Sequence, residues 1–396
     1  MQQPGAQTQK SVDEILGEVD LFADDQREHM LEAFNVARQT CPVVHTKADA
    51  GYYVVTRYED VRTVCTNPEI FSSVQPGIRG VPVRLPPLDA DPPLHRDFRQ
   101  LLNPYFSRAS LLPYTDMMRA IAREAIASFI DNGEVEFVHD FSIAFSAGSL
   151  ASIVFVDQDD DLLRRGIAAV HRCGSEGTPD TFVAVAMLAA EAMAAVAAAP
   201  EGREDVLAGL IDARIDGGRP LTDEERLGIV TVLLLGGLDT TRGMIVNIGY
   251  NLATRPEIEP VLRKPDWWRS EMDEFIRFEP TVGFMARTVT KPYSLGGVDL
   301  EPGDRLVIDF TSANRDPERF DRPDELVFDR NSNIHAGFGL GPHRCLGLNF
   351  ARLQIQIAFE ELLAVTTNFR VKEEPHRQAG VTFNSPTELH LLFDRL

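Results

Sequence analysis

The amino-acid sequence predicts a mainly α-helical protein with small β-sheets, an α+β fold built as one large domain. Helical spacing of apolar residues dominates residues 94–199. A second helical pattern, unusually long, covers residues 222–252. Beyond Met285 the apolar runs become short and are separated by glycine and proline turns, which is typical of strands. Because no Gly/Ser-rich linker divides the chain, we expect residues 12–396 to form a single domain.

The first half of the chain contains several distinct segments. Residues 1–11 are polar and are expected to be disordered. A helical pattern at 26–40 precedes a β-rich run at 51–57. The stretch 72–93 is rich in proline and glycine and predicts a long surface loop, and loops of that length are usually functional. An alanine-rich helix at 183–199 ends this half.

The second half is organised around the long helix. Thr222-Asp-Glu-Glu is a capping-box pattern that marks its first turn. At about 30 residues this helix would far exceed the average helix length and cross the whole molecule. A last helix is predicted at 346–365, and a short β-rich tail follows it.

Composition limits the classes of function. The 396-residue chain has a net charge of −21, which argues against nucleic acid or an anionic membrane as a partner. No apolar run reaches the ~20 residues needed to span a bilayer, and the N-terminus lacks signal-peptide order. The four cysteines show no disulfide or zinc spacing. We therefore expect a cytoplasmic monomer.

Cys345 lies in the most informative segment, Phe338-Gly-Leu-Gly-Pro-His-Arg-Cys-Leu-Gly347. Glycines let such a loop lie against a flat group, and the helix start behind it would stabilise a thiolate. A lone thiolate in this setting suits an axial ligand of haem iron. The alternative is a small buried hydrophobic residue, and the surrounding pattern favours the ligand.

The segment Gly236-Gly-Leu-Asp-Thr-Thr241 interrupts the long helix. Two glycines inside a helix cost stability. They indicate either room for a small ligand beside the backbone or a close helix crossing, and the sequence alone leaves both open. Asp239 and Thr240 place a carboxylate and a hydroxyl at one level, which suits proton relay.

Two further spacings place charged side chains on one helical face. His95 and Arg99 stand at i and i+4, where both could reach one anionic group. Glu274 and Arg277 stand at i and i+3. Alone, most pairs of the second kind are solvated surface.

Taken together, these motifs resemble the cytochrome P-450 superfamily of haem-thiolate monooxygenases, in its soluble bacterial form. The cysteine loop fits the family signature F-x-x-G-x-H/R-x-C-x-G. The resemblance covers nearly the whole chain, because the motifs follow one another in the family's order. They are His95/Arg99, Gly237-x-Asp239-Thr240, Glu274/Arg277, Arg287, 313–317, His335 and Cys345.

The resemblance implies a haem b that lies between the long central helix and the helix after the cysteine loop. Cys345 would be the metal ligand, and Asp239 and Thr240 would deliver protons to iron-bound O2. Glu274 and Arg277, with Arg330 as a third cation, would form a structural ion-pair network. The other haem contacts implied by the family are His95, Arg99, Gly237, Arg287, His335, Phe338 and Gly347.

The resemblance also implies a substrate and an electron donor. The pocket walls by family position are apolar and indicate a small hydrophobic organic compound that is hydroxylated or oxidatively dealkylated. They are Leu234, Val282, Phe284 and Phe383. Electrons would come from NAD(P)H through a separate ferredoxin and its reductase, docked on a cationic patch that contains Arg96 and Arg344.

Two other functions remain open for such a chain. One is a haem-thiolate peroxygenase or dehydratase that needs no external electrons, and the Asp239-Thr240 pair argues against it. The other is a haem-binding sensor without turnover, which would not need that pair.

Overall fold

The computed structural model describes residues 17, 21, 27–156, 160–176, 178–198, 205–330, 332–377 and 384–396. The segment 1–11, expected to be disordered, lies outside the described residues, and so does Phe383. The expected mainly helical α+β architecture is confirmed. The α-helices are α1 Arg27–Thr40, α2 Tyr58–Thr66, α3 Leu94–Leu102, α4 Arg108–Leu111, α5 Thr115–Ala127, α6 Ala144–Ile153, α7 Asp160–Glu176, α8 Pro179–Ala197, α9 Val206–Ile211, α10 Asp223–Leu238, α11 Thr240–Thr254, α12 Ile258–Leu262, α13 Trp267–Phe278, α14 Phe310–Ala313 and α15 Leu348–Leu363.

Shorter helical turns and strands complete the fold. A π-helix occupies Phe137–Ile143, and 3₁₀ turns occupy Leu112–Tyr114, Ile130–Asn132, Asp216–Gly218 and Gly341–His343. The strands are β1 Val43–Thr46, β2 Tyr52–Val55, β3 Phe71–Ser72, β4 Glu134–Glu136, β5 Arg214–Ile215, β6 Arg219–Pro220, β7 Phe284–Val289, β8 Tyr293–Leu295, β9 Val298–Leu300, β10 Arg305–Asp309, β11 Thr366–Val371, β12 His376–Arg377, β13 Pro386–Glu388 and β14 His390–Arg395.

The largest sheet has the strand order β1-β2-β10-β7-β3. Its β2–β10 pair is parallel, and its other pairs are antiparallel. A three-stranded antiparallel sheet has the order β11-β14-β4, and three two-stranded ladders pair β5 with β6, β8 with β9 and β12 with β13. These small sheets flank a much larger helical body, and the main apolar core lies between the helices.

The long helix expected at 222–252 is two helices in the structure. Its start is as predicted, because Glu225 N donates to Thr222 Oγ1 at 3.1 Å and Thr222 N donates to a Glu225 carboxylate oxygen at 2.9 Å. Asp239 separates α10 from α11 with φ −100° and ψ −29°. The expectation of one continuous helix is therefore corrected, and the break falls within the glycine-containing segment.

Two stretches of the described chain are long and apolar enough to cross a membrane by length and composition, contrary to the expectation that none would be. They are α8 and the combined stretch Asp223–Thr254. In the combined stretch 72% of the apolar window is buried, as in the core helix of a soluble protein. The corresponding share in α8 is 39%. Helices of soluble cores meet the same criterion, so these two stretches are weak signs of a membrane span.

The loop expected at 72–93 contains no helix or strand between β3 and α3. Its second half is held in place by a buried carboxylate, because Asp89 accepts hydrogen bonds from Leu85 N at 2.9 Å and from Arg84 Nε at 2.7 Å. The loop also rests on α10. A Cβ at Gly228 would come within 2.6 Å of Arg84 O, so only glycine permits this approach.

Candidate active site

A mostly apolar cavity of about 400 Å³ lies between the 73–93 loop, the α10–α11 break and the cysteine loop. It is the space that the fold leaves beside the glycine-containing part of the central helices. Ten of the sequence-predicted site residues line it, and they are His95, Arg99, Gly237, Thr240, Val282, Phe284, Arg287, Phe338, Cys345 and Gly347. The structure thus brings together residues that are up to 252 positions apart in the sequence.

The cysteine loop has a conformation that its glycines make possible. Gly339 and Gly341 have φ values of +69° and +67°, in the left-handed region that side chains disfavour. A Cβ on Gly341 would also lie 2.2 Å from Cys65 O at the end of α2. Within the loop, Cys345 N donates to Phe338 O at 2.8 Å. The loop is therefore fixed by its own backbone and by α2.

Cys345 itself opens onto the cavity, two residues before Gly347, the N-cap position of α15. The surrounding protein raises the pKa of its thiol, whereas the Gly347 N–H and the charges of Arg99 and Arg344 lower it. The net shift is upward. The N–H at the helix start therefore favours the thiolate, as expected, but in the protein alone desolvation outweighs this effect. A bound metal ion would supply the missing positive charge.

Two glycines of the cavity wall present bare backbone to open space. A Cβ built on Gly236 in α10, or on Gly347 at the start of α15, would meet no heavy atom within 4 Å. Gly237 differs, because a Cβ there would lie 2.8 Å from the Leu150 side chain of α6. Both alternatives left open by the sequence are therefore realised: Gly236 makes room beside the helix, and Gly237 allows a close helix crossing.

One end of the cavity is cationic. His95 and Arg99 of α3 lie there with Arg287 of β7 and His343 of the cysteine loop. The two imidazole rings are 4.2 Å apart between centroids, and the Nε2 atoms of both are buried without a hydrogen-bond partner in the described chain. Arg99 Nη1 donates to Arg344 O at 2.8 Å, and Arg287 Nη1 donates to Ala286 O at 2.8 Å.

Burial and neighbouring positive charge act on the histidines of this cationic end. Burial, followed by the charge of Arg99, lowers the pKa of His95 to about 4. Burial and the charge of Arg287 lower the pKa of His343 to about 2. Burial also lowers the pKa of Arg287. A cluster of this kind favours an anionic partner, because carboxylates would both pair with the guanidinium groups and satisfy the unpartnered ring nitrogens.

His335, predicted as a haem contact, is not among the residues that line the cavity. His335 Nε2 is 3.4 Å from Asp273 Oδ1 of α13, and Arg352 binds the same carboxylate. His335 Nδ1 accepts a hydrogen bond from Gly337 N at 3.1 Å. Its place at the cavity is taken by His343. The sequence signal for His343 was present, because it stands two residues before Cys345 in the signature.

The α10–α11 break places Thr240 at the cavity and Asp239 behind it. Thr240 lines the cavity, and its Oγ1 donates to Gly236 O at 2.6 Å. Asp239 is 6% exposed and is not among the lining residues. Its Oδ1 accepts a hydrogen bond from Arg242 Nε at 2.7 Å and lies 4.0 Å from His171 Nδ1. The pair expected at one level is thus split between the cavity surface and the protein interior.

The state of Asp239 follows from two opposing effects. Burial raises the pKa of the carboxyl group, but the positive charges of Arg242 and His171 outweigh it and hold the pKa below its usual range. Asp239 Oδ2 is buried without a hydrogen-bond partner in the described residues. Arg242 and His171 are the two partners of this carboxylate that the sequence analysis missed.

The structure places two of the predicted pocket-wall residues at the cavity. Val282 and Phe284 line the cavity. Leu234 is fully buried but is not among the lining residues, because it packs toward Gly166 of α7. Lining residues that the sequence analysis did not single out include Phe182, Leu233, Leu235, Thr241, Met244 and Met285. The two neighbours of Leu234, Leu233 and Leu235, line the cavity in its place.

The Glu274–Arg277 pair is buried, not solvated. Both side chains of the pair are at most 1% exposed, and Arg277 Nη2 lies 2.8 Å from Glu274 Oε1. Arg330 Nε lies 3.0 Å from Glu274 Oε2, so Arg330 is the third cation that the sequence suggested. Val327 N and Asn333 Nδ2 donate to the same carboxylate. With Arg277 Nε, which donates at 2.9 Å, five donor atoms converge on this buried glutamate and hold α13 against the segment that contains Val327, Arg330 and Asn333.

Arg96 of α3 and Arg344 of the cysteine loop have exposed side chains. Neither makes an ion pair with a carboxylate of the described chain. Arg99 connects the two segments, because it donates to the backbone oxygen of Arg344. Two uncompensated positive charges thus lie on the surface next to the cysteine loop of a protein with a net charge of −21.

The residues present fit a haem. Bare backbone at Gly236 and Gly347 leaves a slot for a flat ring, Cys345 can supply one axial ligand, and the cationic end matches two carboxylates. The described chain has no cluster of three or more His, Cys, Asp or Glu side chains that could hold a metal ion by themselves. A single protein ligand is what a haem iron in a macrocycle needs.

Comparison with known proteins agrees with this geometry. The family model for cytochrome P450 matches residues 270–392. A probable cytochrome P450 127A1 of Sinorhizobium fredii is 31% identical over 344 residues, which cover 83% of this chain and 80% of that protein. A steroid C26-monooxygenase of Mycolicibacterium smegmatis is 27% identical over 378 residues, which cover 91% of this chain and 92% of that protein.

The fold comparison gives the same result. The crystal structure of cytochrome P450 CYP101C1 matches with a TM-score of 0.85 and 25% sequence identity, and the match covers 95% of this chain and 97% of that chain. The sequence relationship therefore extends over most of the molecule and includes both sides of the cavity. The chain belongs to the cytochrome P450 family, haem-thiolate monooxygenases that carry haem b and incorporate oxygen from O2.

Proposed function

We propose that this monooxygenase hydroxylates or oxidatively dealkylates a small hydrophobic organic compound, with Cys345 as the haem ligand. The observation that carries the proposal is the arrangement of one cavity: Cys345 opens onto it from one segment, and Thr240 at the helix break lines it from another. The ring itself would be held by the cationic end of the cavity, formed by Arg99, Arg287 and the two unpartnered histidines.

The haem, when bound, supplies the iron that activates O2 for transfer of one oxygen atom. The chain's own residues position the reactants and manage protons. Thr240 presents its hydroxyl at the cavity, where it donates to Gly236 O and can accept or pass on a proton. Asp239 adjoins it in sequence and is held ionised by Arg242. The apolar walls exclude bulk water from this exchange.

The lining of the cavity supports a hydrophobic substrate. Val282, Phe284, Leu233 and Met244 provide an apolar surface, and Thr241 and Thr240 are among its few hydroxyl groups. Apolar pockets with a few polar groups bind organic compounds mainly through surface burial. The relative from M. smegmatis bears the name steroid C26-monooxygenase, which indicates that a cavity of this family accepts bulky apolar molecules.

The spectrum of the reduced, carbonyl-bound protein tests the proposed haem ligation. A thiolate-bound haem gives a strongly red-shifted main band, and we expect that band in the purified protein. A haem protein without the shifted band would contradict thiolate ligation. Compounds that displace water from the iron, detected by a spectral shift, would then define the substrate class.

Thr240→Ala should leave haem and substrate binding intact but divert electrons to peroxide, because the hydroxyl at the helix break is removed. We expect product formed per NAD(P)H to fall about 100-fold, the low end of what a positioned proton donor contributes. Product, peroxide and NAD(P)H are measured together with a compound that shifts the haem spectrum. Unchanged coupling would refute the role.

Thr231→Ala is a matched control for this variant. Thr231 lies in α10, donates its hydroxyl to Leu227 O at 2.8 Å and is 1% exposed, but it does not line the cavity. The control therefore removes the same kind of i−4 hydrogen bond, to a backbone oxygen of α10, away from the cavity. We expect coupling in Thr231→Ala to match that of the unmodified protein.

We further propose that a ferredoxin supplies the electrons at the surface that contains Arg96 and Arg344. Arg344 is adjacent to Cys345 in sequence, so a partner docked there would approach the cysteine side of the haem. The two exposed, unpaired arginines favour an acidic partner, and the association should weaken as salt is added. The described parts of α3 and the cysteine loop meet at this surface through the Arg99–Arg344 hydrogen bond.

Arg344→Glu should slow ferredoxin-driven reduction about tenfold at low salt and flatten its salt dependence, because reversing a charge in a docking patch acts mainly on association. Stopped-flow reduction at several ionic strengths measures both quantities. Arg370→Glu is the control, since Arg370 is exposed and pairs with Asp394 in the β11–β14 sheet. Equal effects of the two variants would count against a specific patch.

A further inference from the structure

The buried carboxylate of Asp239 cannot exchange protons with solvent through Arg242, the residue that pairs with it. Its side chain is 8% exposed, and the side chain of Arg242 that pairs with it is 3% exposed. Arg242 also donates from Nη1 to Pro386 O at 2.9 Å, so its guanidinium is held on two sides. A guanidinium does not release a proton in proteins. Arg242 can therefore hold Asp239 ionised but cannot supply it with protons.

His171 of α7 is the other partner, and it differs from Arg242 in both respects. Its Nδ1 lies 4.0 Å from Asp239 Oδ1, and its side chain is 37% exposed. It therefore reaches solvent on one side and the buried carboxylate on the other. Imidazole is the side chain that ordinarily gains and loses protons near neutral pH. In the same helix Gly166 lies against Leu238 and Leu234 of α10, so α7 packs directly on the helix that ends at Asp239.

Most charged side chains of α7 and the helices next to it are paired with one another. On α7 itself, Arg172 pairs with Glu176, and Arg165 pairs with Asp161 and Glu191. The neighbouring α6 has no charged residue, and the charged residues of α8 are Asp180 and Glu191. Across the interface His171 faces Asp239 and, behind it, Arg242. The ionised carboxylate is thus the group that the imidazole meets on the protein side.

We propose that His171 supplies solvent protons to Asp239 during oxygen activation, an inference that rests on the proposed monooxygenase function. One turnover converts O2, the substrate, two electrons from the donor protein and two protons into oxidised product and water. The imidazolium of His171 gives a proton to Asp239, which passes it toward Thr240 at the cavity. The neutral imidazole then takes another proton from solvent, so both side chains return to their starting state.

The test uses dioxygen as the probe, so no organic substrate has to be known. Holoprotein premixed with reduced ferredoxin is mixed with O2, and the return of the oxidised haem spectrum is timed between pH 6 and 8.5. His171→Gln should slow this step about tenfold, less than the ~100-fold or more that a proton donor at the reacting group contributes, because His171 acts through Asp239. The rate in the unmodified protein should fall as the pH rises, and the variant should lose that dependence.

His171→Lys separates proton supply from a purely structural ion pair. A lysine keeps the positive charge opposite Asp239, but its high pKa makes it a poor proton donor near pH 7. We expect His171→Lys to keep the thermal stability of the protein and still to be slow. A fast His171→Lys variant with a slow His171→Gln variant would overturn the proposal, because charge alone would then suffice.

Two more variants complete the test. His171→Gln should cost nothing further in an Asp239→Asn background, since both residues act in one route. A further loss there, or an equally slow Arg172→Gln control, would contradict the proposal, as would His171→Gln with the unmodified rate. The reduced, carbonyl-bound spectrum of every variant is recorded as well. Its absence from the unmodified protein would reject the proposed function instead.

Discussion

Cys345→Ser should abolish the strongly red-shifted band of the reduced, carbonyl-bound protein and lower turnover by more than about 100-fold, since even changes around a metal ligand cost 10–100-fold. A serine oxygen is a far weaker electron donor to iron than a thiolate, and electron donation favours cleavage of the O–O bond. The backbone of the loop should survive, because the Cys345 N–Phe338 O hydrogen bond and the left-handed glycines do not involve the sulfur.

Cys173→Ser provides the matched control. Cys173 also lines the cavity, but burial raises the pKa of its thiol to about 11, so it is not a thiolate near neutral pH. We expect Cys173→Ser to keep the shifted band. If the band instead survived in Cys345→Ser and vanished in Cys173→Ser, the cysteine loop would not hold the iron. Optical spectra of the two variants, with haem content measured alongside, decide between these outcomes.

Glu274→Gln should cost about 3–5 kcal/mol of unfolding free energy, because two buried guanidinium groups lose their counter-charge. Arg277 is fully buried and Arg330 is 7% exposed at the side chain, so neither can recover the loss by turning to water. The amide keeps the size of the side chain and some of its hydrogen bonds, which confines the change to charge. The shift is measured as the change in urea-induced unfolding.

The same substitution should loosen the haem site, although Glu274 lies outside the cavity lining. Arg277 donates to the carbonyl oxygens of Asn314, Pro323 and Glu325. Asn314 Oδ1 in turn accepts a hydrogen bond from Ala336 N, just before the cysteine loop. We therefore expect Glu274→Gln to lose haem faster than the unmodified protein. The rate is measured by the transfer of haem to an acceptor protein.

Asp266→Asn is the control for the Glu274 experiment. Asp266 stands at the N-terminus of the same helix and pairs with Arg269, and both side chains are well exposed. Exposed pairs of this kind contribute little, and we expect a change within about 0.5 kcal/mol. A similar loss in both variants would show that α13 is simply sensitive to substitution. A negligible loss in Glu274→Gln would contradict a buried network that holds the fold.

The fold and the cysteine loop were largely predictable because their signals are local. The capping box at Thr222 and the glycines before Cys345 act through backbone conformation within a few residues. The break at Asp239 was not predicted, although the glycines that flank it were noticed. A helical pattern of apolar residues continues through the break, so the pattern alone does not show that Asp239 separates two helices.

A site residue was predictable where only one residue of its type had a suitable sequence context. It was uncertain where two residues of the same type could fill the same role. Cys345 had no rival with comparable flanking glycines, but His335 and His343 stand eight residues apart in one segment. Spacing could not separate them, because the choice depends on which ring turns toward β7 and α3 and which toward Asp273. Of the partners of Asp239, Arg242 stands at i+3 and could have been proposed from spacing, whereas His171 comes from α7 and could not be found from sequence.

Gly236 and Gly347 expose backbone to the cavity, whereas the apolar walls are built from side chains such as Phe284 and Met244. The slot for the cofactor is therefore shaped by main chain, which substitutions at the apolar walls leave unaltered. The chamber for the substrate is shaped by residues that can be exchanged one at a time. Such a division lets selection or engineering change the preferred compound while the oxygen-activating half of the site stays the same.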